Sequence, residues 1–210
     1  MKKILKLKPT FEFENNLWLQ GIQYIAGVDE VGRGCFAGPV VAAAVILPQG
    51  FTATDKIDDS KKLPAKVRKE LAEIIKEHAV AFSIAEISVS IINKIGIGKA
   101  AQQAFVKAVK GLHTKPEHIL IDAFRISELQ KMKQTAIIHG DCLSISIAAA
   151  SIIAKVYRDD LMEKLHPKYT VYDFFSNKGY GTRQHREAIG KYGLCDLHRK
   201  SFDLTKFLPV

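Results

Sequence analysis

The sequence predicts an α/β fold, because short apolar runs typical of buried strands alternate with longer segments of helical periodicity. The first two apolar runs, IAGV and VVAAAVIL, flank a turn rich in glycine and are compatible with an antiparallel pair. At 210 residues the chain fits one sizeable domain with an ordinary hydrophobic core. We divide it into an N-terminal arm (1–20), a main domain (21–165) and a helical, basic C-terminal region (166–210) packed on that domain.

Five strands are predicted from these apolar runs. The first begins at Ile25 and runs into Asp29, and Pro48-Gln49-Gly50 ends the second. The other four predicted strands cover Val40–Leu47, Val80–Ile87, His118–Asp122 and Gln134–Ile138.

The helices are predicted from apolar residues at helical spacing. Pro64 suits the first helical position of the first long helix, and the second is expected to break near Gly96 and Gly98. A short N-terminal helix would use Trp18 and Leu19 as anchors. The long helices are predicted over Pro64–Ala79, Ile91–Leu112, Ser144–Leu165 and Thr182–Tyr192.

Composition restricts the function classes. The net charge of +9 and the pI near 9.4 favour a polyanionic partner such as nucleic acid. Cys35, Cys142 and Cys195 have neither paired nor zinc-ligand spacing, which favours a reducing, cytoplasmic compartment. No apolar run approaches the roughly 20 residues that a membrane span needs, and the N-terminus lacks the features of a secretory signal.

Four carboxylates follow or end predicted strands: Asp29, Glu30, Asp122 and Asp141. Any one of them could be an ordinary polar strand end, but together they could converge at one edge of the sheet. Their mutual repulsion would then require cations, and a set of oxygen ligands favours Mg²⁺ or Mn²⁺. Asp141 also precedes the longest helix, whose first N–H groups would favour its ionised form.

Hard divalent ions beside a basic surface predict two-metal hydrolysis of a phosphodiester. One ion would lower the pKa of the attacking water, and the other would stabilise the departing oxygen. No GxSxG motif or cysteine–histidine spacing supports a nucleophilic serine or cysteine. The open alternatives are another kind of metal-dependent nuclease and a non-catalytic module that binds nucleic acid through the basic surface.

Two loops could contact phosphate. Gly32-Arg33-Gly34, the glycine-rich turn, can direct backbone N–H groups at an anion. The segment DDSKK is either a solvated turn, which its composition favours, or a phosphate contact through Ser60, Lys61 and Lys62.

Several motifs in this order resemble ribonuclease HII, the bacterial type 2 ribonuclease H. They are AGVDEVGRGCFAGPVVAAAVIL, DDSKKL, ILIDA, HGD followed by SISIAAASIIAKVYRD, and NKGYGTRQH. The resemblance implies a ribonuclease H-like fold, with a five-stranded mixed sheet flanked by helices and a helical C-terminal region. It implies hydrolysis of RNA in RNA/DNA hybrids and incision 5′ to single ribonucleotides in duplex DNA, leaving 3′-hydroxyl and 5′-phosphate ends. A monomer is expected.

The resemblance also implies site residues. The metal-binding, catalytic carboxylates are Asp29, Glu30, Asp122 and Asp141. The backbone of Gly32, Arg33 and Gly34 is expected to contact the ribonucleotide 2′-hydroxyl, which distinguishes RNA from DNA. Tyr180 is expected to stack on the sugar across the RNA–DNA junction; without the resemblance, it is simply a surface aromatic. The plausible phosphate contacts are Lys61, Lys62, Lys155, Arg183 and Arg186.

The sequence leaves the roles of three further positions undecided. His139 is either a proton shuttle near the metals or a structural histidine. Val31 and Ala123 depart from the family pattern, which commonly has alanine and glycine at these positions. Both replacements are slightly bulkier and could shift a turn without removing a ligand.

Overall fold

A computed structural model describes residues 8–52, 56–61 and 63–208. Its centre is a five-stranded sheet with the strand order β3-β2-β1-β4-β5. β1 pairs antiparallel with β2 and parallel with β4, so the predicted mixed sheet is confirmed. The strands are β1 (Ile25–Val31), β2 (Val40–Ile46), β3 (Ala81–Ile87), β4 (His118–Asp122) and β5 (Gln134–Ile137).

β1 is longer than its apolar run. The strand was predicted to finish on the two acids, but it continues to Val31, so Asp29 and Glu30 lie inside it, opposite Ala43 and Ala42 of β2. The apolar run ends before the strand does, because these two acids continue the strand but do not pack in the hydrophobic core. The other predicted strands differ from the observed ones by one residue or less at each end.

Seven α-helices are found in the described part of the chain. The predicted break near Gly96 is confirmed, because Gly96 has a φ of 81° and separates two helices. Pro64 precedes its helix, with an extended ψ of 145°, and so does not occupy the first helical position as predicted. The helices are α1 (Glu12–Trp18), α2 (Ala65–His78), α3 (Val89–Ile95), α4 (Ile97–Lys110), α5 (Ile145–Leu165), α6 (Phe174–Asn177) and α7 (Arg183–Tyr192).

The sheet lies between two helical layers because both faces of β2 are apolar. Val40, Ala42 and Ala44 belong to the core cluster that contains α4. Val41, Ala43 and Val45 belong to the cluster that contains α2 and α5. The side chains of a strand alternate between faces, so this wholly buried strand supports both layers.

α5 approaches β1 very closely. A Cβ atom on Gly27 would lie 2.0 Å from the carbonyl carbon of Ser146, so only glycine fits there. The close contact holds the first turns of α5 against the strand that carries Asp29 and Glu30.

The N-terminal helix α1 is anchored only partly as predicted, because Trp18 packs against an apolar cluster but Leu19 does not. Leu19 is 87% exposed and anchors nothing, whereas Glu14 is fully buried. Glu14 Oε1 accepts hydrogen bonds from Ser144 Oγ at 2.6 Å and from Ser146 N–H at 2.9 Å. The carboxylate at the start of α5 is therefore Glu14, where the sequence had suggested Asp141. Lys2, Lys3 and Lys6 lie outside the described residues.

The C-terminal region forms a small apolar cluster of its own. Tyr172, Phe174 and Ile189 pack with Ala37, from the loop between β1 and β2, and with Met162 of α5. The division of the chain into arm, catalytic domain and C-terminal region stays a prediction. No helix in the described residues is long and apolar enough to cross a membrane.

Candidate active site

The four carboxylates meet where the parallel strands end. Asp29 and Glu30 lie near the end of β1, and Asp122 is the last residue of β4. Asp141 lies in a 3₁₀ turn, Gly140–Cys142, shortly after β5. Because β1, β4 and β5 run in the same direction, their carboxyl ends share one edge of the sheet.

A cleft of about 610 Å³ opens at this edge. Asp29, Glu30 and Asp122 form part of its wall. The segment around Lys61, together with α2 and α5, supplies the rest, and Tyr180 closes one side. The remaining lining residues are Val31, Ser60, Lys61, Leu63, Arg68, Ser151, Lys155 and Tyr180.

Hydrogen bonds orient the carboxylates. The backbone N–H of Gly140 donates to Asp122 Oδ1 at 2.7 Å, which ties β4 to the turn that carries Asp141. Lys61 Nζ lies 3.4 Å from Asp141 Oδ2. Asp29 is hydrogen-bonded to Ser151 of α5, whose Oγ lies 3.0 Å from Ser60 Oγ. Ser60 was considered only as a possible phosphate contact, and Ser151 was not predicted as a site residue, since it lies in no pattern that indicates chemistry.

Burial and mutual repulsion raise the pKa values of Asp29, Glu30 and Asp122. Burial raises the pKa of Asp29 well above its usual range, and Glu30, Asp122 and Asp141 raise it further. Burial also raises the pKa of Glu30, against the opposing effect of Arg33. The pKa of Asp122 is raised by burial, although the Gly140 hydrogen bond opposes the shift. Oxygen donors that repel one another in this way suit a hard divalent cation.

Asp59, Ser60 and Lys61 border this site, so this part of DDSKK is not the merely solvated turn that its composition favours. Asp59, Asp141 and Cys142 each place one ligand atom within 4.8 Å of the others, a grouping no other set of three achieves in the described residues. Asp59 was not among the predicted ligands. Its signal was the two adjacent acids in DDSKK, which composition alone could not distinguish from a surface turn.

The glycine-rich turn follows β1 directly. Gly32 has a φ of 88°, and a Cβ there would lie 2.2 Å from Arg158 Nε. Both the backbone conformation and the close contact therefore require glycine. Gly34 is exposed with open space around it, which leaves its backbone accessible. The Arg33 guanidinium lies 5.3 Å from the Phe124 ring centroid and 3.9 Å from the Glu30 carboxylate.

Two fully buried arginines hold the loop from 33 to 39. Arg158 donates to the carbonyls of Ala37, Pro39 and Lys178. Arg199 donates to the carbonyls of Arg33, Gly38 and Pro39. Sequence reasoning missed both, because an isolated arginine gives no sign that its partners are distant carbonyls.

Tyr180 lies beside this loop with 38% of its surface exposed. Its ring centroid is 5.5 Å from Lys155 Nζ and 5.8 Å from Arg158 Cζ. Its hydroxyl contacts the buried thiol of Cys35, and burial raises the pKa of Tyr180 to about 12. The backbone N–H groups of Phe36 and Ala37 donate to the Gly179 carbonyl, so the two loops are joined directly.

The predicted phosphate contacts are not all at the cleft. Lys61 and Lys155 line it, and Lys155 also pairs with Asp159 at 2.8 Å. Arg183 is exposed, pairs with Glu187 at 2.7 Å and does not line the cleft. Lys62 lies outside the described residues.

Two other predicted neighbours of the site are exposed. Arg186 lies over the Phe207 ring, with its Cζ 5.9 Å from the centroid. His139 has a φ of 58° and acts electrostatically on Asp122, so it lies near the carboxylates without being a buried structural histidine.

A solved structure with the same fold defines the class. The ribonuclease H2 of Pyrococcus horikoshii superposes with a TM-score of 0.75 at 27% identity, covering 87% of this chain and 95% of that chain. The fold is therefore that of the ribonuclease H-like nucleases, as predicted.

Sequence relatives narrow the class to one family. The family model for ribonuclease HII matches residues 26–205. The ribonuclease HII of Oceanobacillus iheyensis is 52% identical over 190 residues, which cover 90% of this chain and 72% of the relative. That of Syntrophus aciditrophicus is 47% identical over 197 residues, covering 94% and 92%. The chain belongs to the ribonuclease HII family and is an endonuclease of the ribonuclease H type, whose members depend on divalent metal ions.

Proposed function

We propose that this enzyme hydrolyses the RNA strand of RNA/DNA hybrids and incises duplex DNA 5′ to single embedded ribonucleotides, leaving 3′-hydroxyl and 5′-phosphate ends. The observation that carries the proposal is the convergence of Asp29, Glu30 and Asp122 on one cleft, with Asp141 close enough to raise the pKa of Asp29. The net charge of +9 suits a nucleic-acid duplex.

The four carboxylates would hold two divalent cations, Mg²⁺ or Mn²⁺. Bound cations would supply Lewis acidity, both to activate water and to stabilise the departing oxygen. The chain prepares the carboxylates for this task by fixing their orientation. Gly140 holds Asp122, Ser151 holds Asp29, and Lys61 offsets part of the charge of Asp141.

Recognition of the ribonucleotide would use the two joined loops. Within the glycine-rich turn, Arg33 and Gly34 are exposed, and their backbone can donate hydrogen bonds to a 2′-hydroxyl without losing side-chain entropy. The half-exposed ring of Tyr180 offers a flat apolar face to the next sugar. Because the backbone N–H groups of Phe36 and Ala37 donate to the Gly179 carbonyl, the protein fixes the distance between the glycine-rich turn and Tyr180.

Lys61 and Lys155 are the phosphate contacts that the cleft geometry favours, since both line it. Arg183 would contact only a duplex extending beyond the cleft, because it lies on the exposed start of α7. We further propose that the enzyme acts as a monomer in the cytoplasm, which size-exclusion chromatography and cell fractionation would test.

The decisive experiment is a labelled-duplex assay in Mg²⁺ and in Mn²⁺. Three substrates are compared: a duplex with one ribonucleotide, a continuous hybrid and an all-DNA duplex. We expect incision of the first two and none of the third. Failure to incise the first two with either metal would refute the proposal.

The variant Asp122→Asn provides the matched control, because the amide oxygen can still accept the Gly140 hydrogen bond. We expect its activity to fall by about 10³-fold or more while the fold is retained. Full activity in this variant would refute the role of Asp122. Cleavage of the all-DNA duplex would indicate a different nuclease of this fold class, and binding without cleavage would indicate a hybrid-binding module.

A further inference from the structure

Two histidines form a buried pair behind Tyr180. His185, in the first turn of α7, and His198, in the C-terminal segment, are both fully buried. Their Nε2 atoms lie 3.0 Å apart. Neither ring lines the cleft, so the proposed chemistry does not use them directly.

The hydrogen bonds of the pair fix both tautomers. The carbonyl oxygen of Tyr180 can only accept, so His185 Nδ1, at 2.8 Å, must carry a proton. The backbone N–H of Cys195 donates to His198 Nδ1 at 2.9 Å, so that nitrogen carries none. One proton then remains to be shared between the two Nε2 atoms, and it belongs to His198, which donates to His185.

Both rings are therefore neutral, and the three hydrogen bonds that link these groups all run in the same direction from donor to acceptor. The order runs from Cys195 N–H through His198 and His185 to the Tyr180 carbonyl. Burial lowers the pKa of His185, and it lowers that of His198 to about 4, in agreement with two uncharged rings. A second proton on either ring would replace an acceptor with a donor and break the chain.

The pair also joins the two loops proposed to recognise the ribonucleotide. His185 holds the Tyr180 peptide, whose carbonyl also accepts from Thr182 N–H at 2.8 Å. His198 forms an antiparallel bridge with Ala37. On either side of that bridge, Gly38 N–H donates to the Leu197 carbonyl and Arg199 N–H donates to the Phe36 carbonyl. The bridged segment continues directly from the glycine-rich turn.

We propose that His185 and His198 are positioning residues that hold Tyr180 in register with the glycine-rich turn and thereby set selectivity for RNA–DNA junctions. This inference rests on the proposed role of Tyr180 in reading the junction. The two rings act as an uncharged, directional crosslink, and neither touches the substrate.

Two variants, each of which keeps one of the two hydrogen bonds of His185, separate the positioning role of this residue from its contribution to stability. In His185→Asn, the amide nitrogen can take the place of Nδ1 and still donate to Tyr180. In His185→Gln, the amide can reach the position of Nε2 and contact His198, but the donor to Tyr180 is lost. Each variant removes one hydrogen bond of the buried pair, so the two are matched in the interactions that they lose.

The measured quantity is junction selectivity, the ratio of kcat/KM on a duplex with one ribonucleotide to that on a continuous hybrid. We expect His185→Gln to lower it about tenfold, as the loss of one positioning hydrogen bond would. We expect His185→Asn to keep it within about twofold. Equal selectivity in the two variants, or a greater loss in His185→Asn, would overturn the inference.

Tyr180→Ala, measured in the same assay, tests the proposed role of Tyr180 separately from the positioning role of the two histidines. Retained selectivity in Tyr180→Ala would refute the role of Tyr180 and the inference with it. Lost selectivity in Tyr180→Ala, together with wild-type selectivity in His185→Gln, would refute the inference alone.

A measurement on the wild-type protein remains decisive if a variant fails to fold. Long-range ¹H–¹⁵N correlation spectra at pH 7 distinguish the two neutral tautomers and the imidazolium. We expect His185 protonated only on Nδ1 and His198 only on Nε2. The opposite tautomer of either ring, or a charged ring, would overturn the inference.

Discussion

Arg199 Nη1 donates a hydrogen bond to the backbone carbonyl of Arg33, at 2.9 Å, and so ties the C-terminal segment to the glycine-rich turn. The same guanidinium donates to the carbonyls of Gly38 and Pro39. It is fully buried, and burial lowers its pKa to about 10. A cation satisfied by three carbonyls specifies the path of the loop it holds.

Replacing Arg199 by methionine should therefore destabilise the protein and loosen the turn. Three carbonyls lose a buried partner, so we expect the free energy of unfolding to fall by about 3 kcal/mol. Urea denaturation would measure the loss. Lys200→Met removes a cation from the exposed neighbouring position and should change the stability by less than about 0.5 kcal/mol. An equal effect of the two substitutions would contradict this role of Arg199.

Tyr180 provides a test of sugar stacking. Tyr180→Phe keeps the ring and loses the hydroxyl contact with Cys35, so most of the activity and selectivity should remain. Tyr180→Ala removes the flat face and should lower junction selectivity about tenfold, since a stacking contact is worth about 1–3 kcal/mol. Steady-state kinetics on junction and hybrid duplexes would measure both. Tyr192→Ala, at an exposed position of α7, should leave the ratio unchanged.

Asp29 links metal binding to stability. Its pKa is raised in the fold, so its contribution to stability is present below the unfolded pKa of about 3.9 and is lost as pH rises through the folded pKa. Without metal at pH 8, Asp29→Asn should unfold with a free energy higher by on the order of 1 kcal/mol. Adding Mg²⁺ or Mn²⁺ should stabilise the wild type and should stabilise the variant less.

Thermal unfolding with and without each ion would measure this difference. Asp203→Asn, at an exposed site remote from the cleft, should leave the ion-induced shift in Tm unchanged. An identical ion-induced shift in wild type and Asp29→Asn would contradict a role of Asp29 in holding metal.

The lowered pKa of His198 predicts that the protein loses stability in acid. Its folded pKa is about 4, below the usual value of 6.5, so the unfolded chain binds the proton more tightly. Stability is then complete above pH 6.5 and falls as pH decreases toward 4, by on the order of 2 kcal/mol. Denaturation curves across this range should show a shallower decline in His198→Gln. An equally steep decline in both proteins would show that another group is responsible.

Ala123 provides a test of local backbone strain. It follows Asp122 with a φ of 58°, in the left-handed region where a Cβ atom is unfavourable. Ala123→Gly should raise the free energy of unfolding by about 0.5–1 kcal/mol, after the greater backbone entropy of glycine is subtracted. Urea denaturation is the measurement. Ala136→Gly, within β5, should have the opposite sign, and a destabilising Ala123→Gly would disprove the strain.

The sequence predicted the layers and strands well because both faces of the sheet are covered. Continuous apolar runs such as Val40–Ile46 can form only buried strands at that length, and the glycine at 96 interrupts an otherwise regular helical pattern. The end of β1 was placed too early, since acids inside a strand resemble a strand boundary. Leu19 was misjudged for a related reason: an apolar residue at a helix end need not face the core.

The site was predictable where residues of one chemistry recur at strand ends, as the four carboxylates do. Residues that act through distant backbone atoms could not be recognised. Glu14 binds Ser144, the residue 130 positions later that precedes α5, and Arg158 and Arg199 bind carbonyls, which every residue has. The histidine pair was missed because its partners are set by the path of the chain and not by local spacing.

The central strand β1 pairs in parallel with β4, which lies more than 80 residues further along the chain. The ribosome therefore releases Asp29 and Glu30 long before Asp122 and Asp141, and Tyr180 and Arg199 later still. A partly synthesised chain cannot bring its acids together until the turn that carries Asp141 has emerged, and the contacts that join Tyr180 and Arg199 to the loop after β1 form later still. We expect the complete cleft to appear on a nascent chain only after these later contacts have formed.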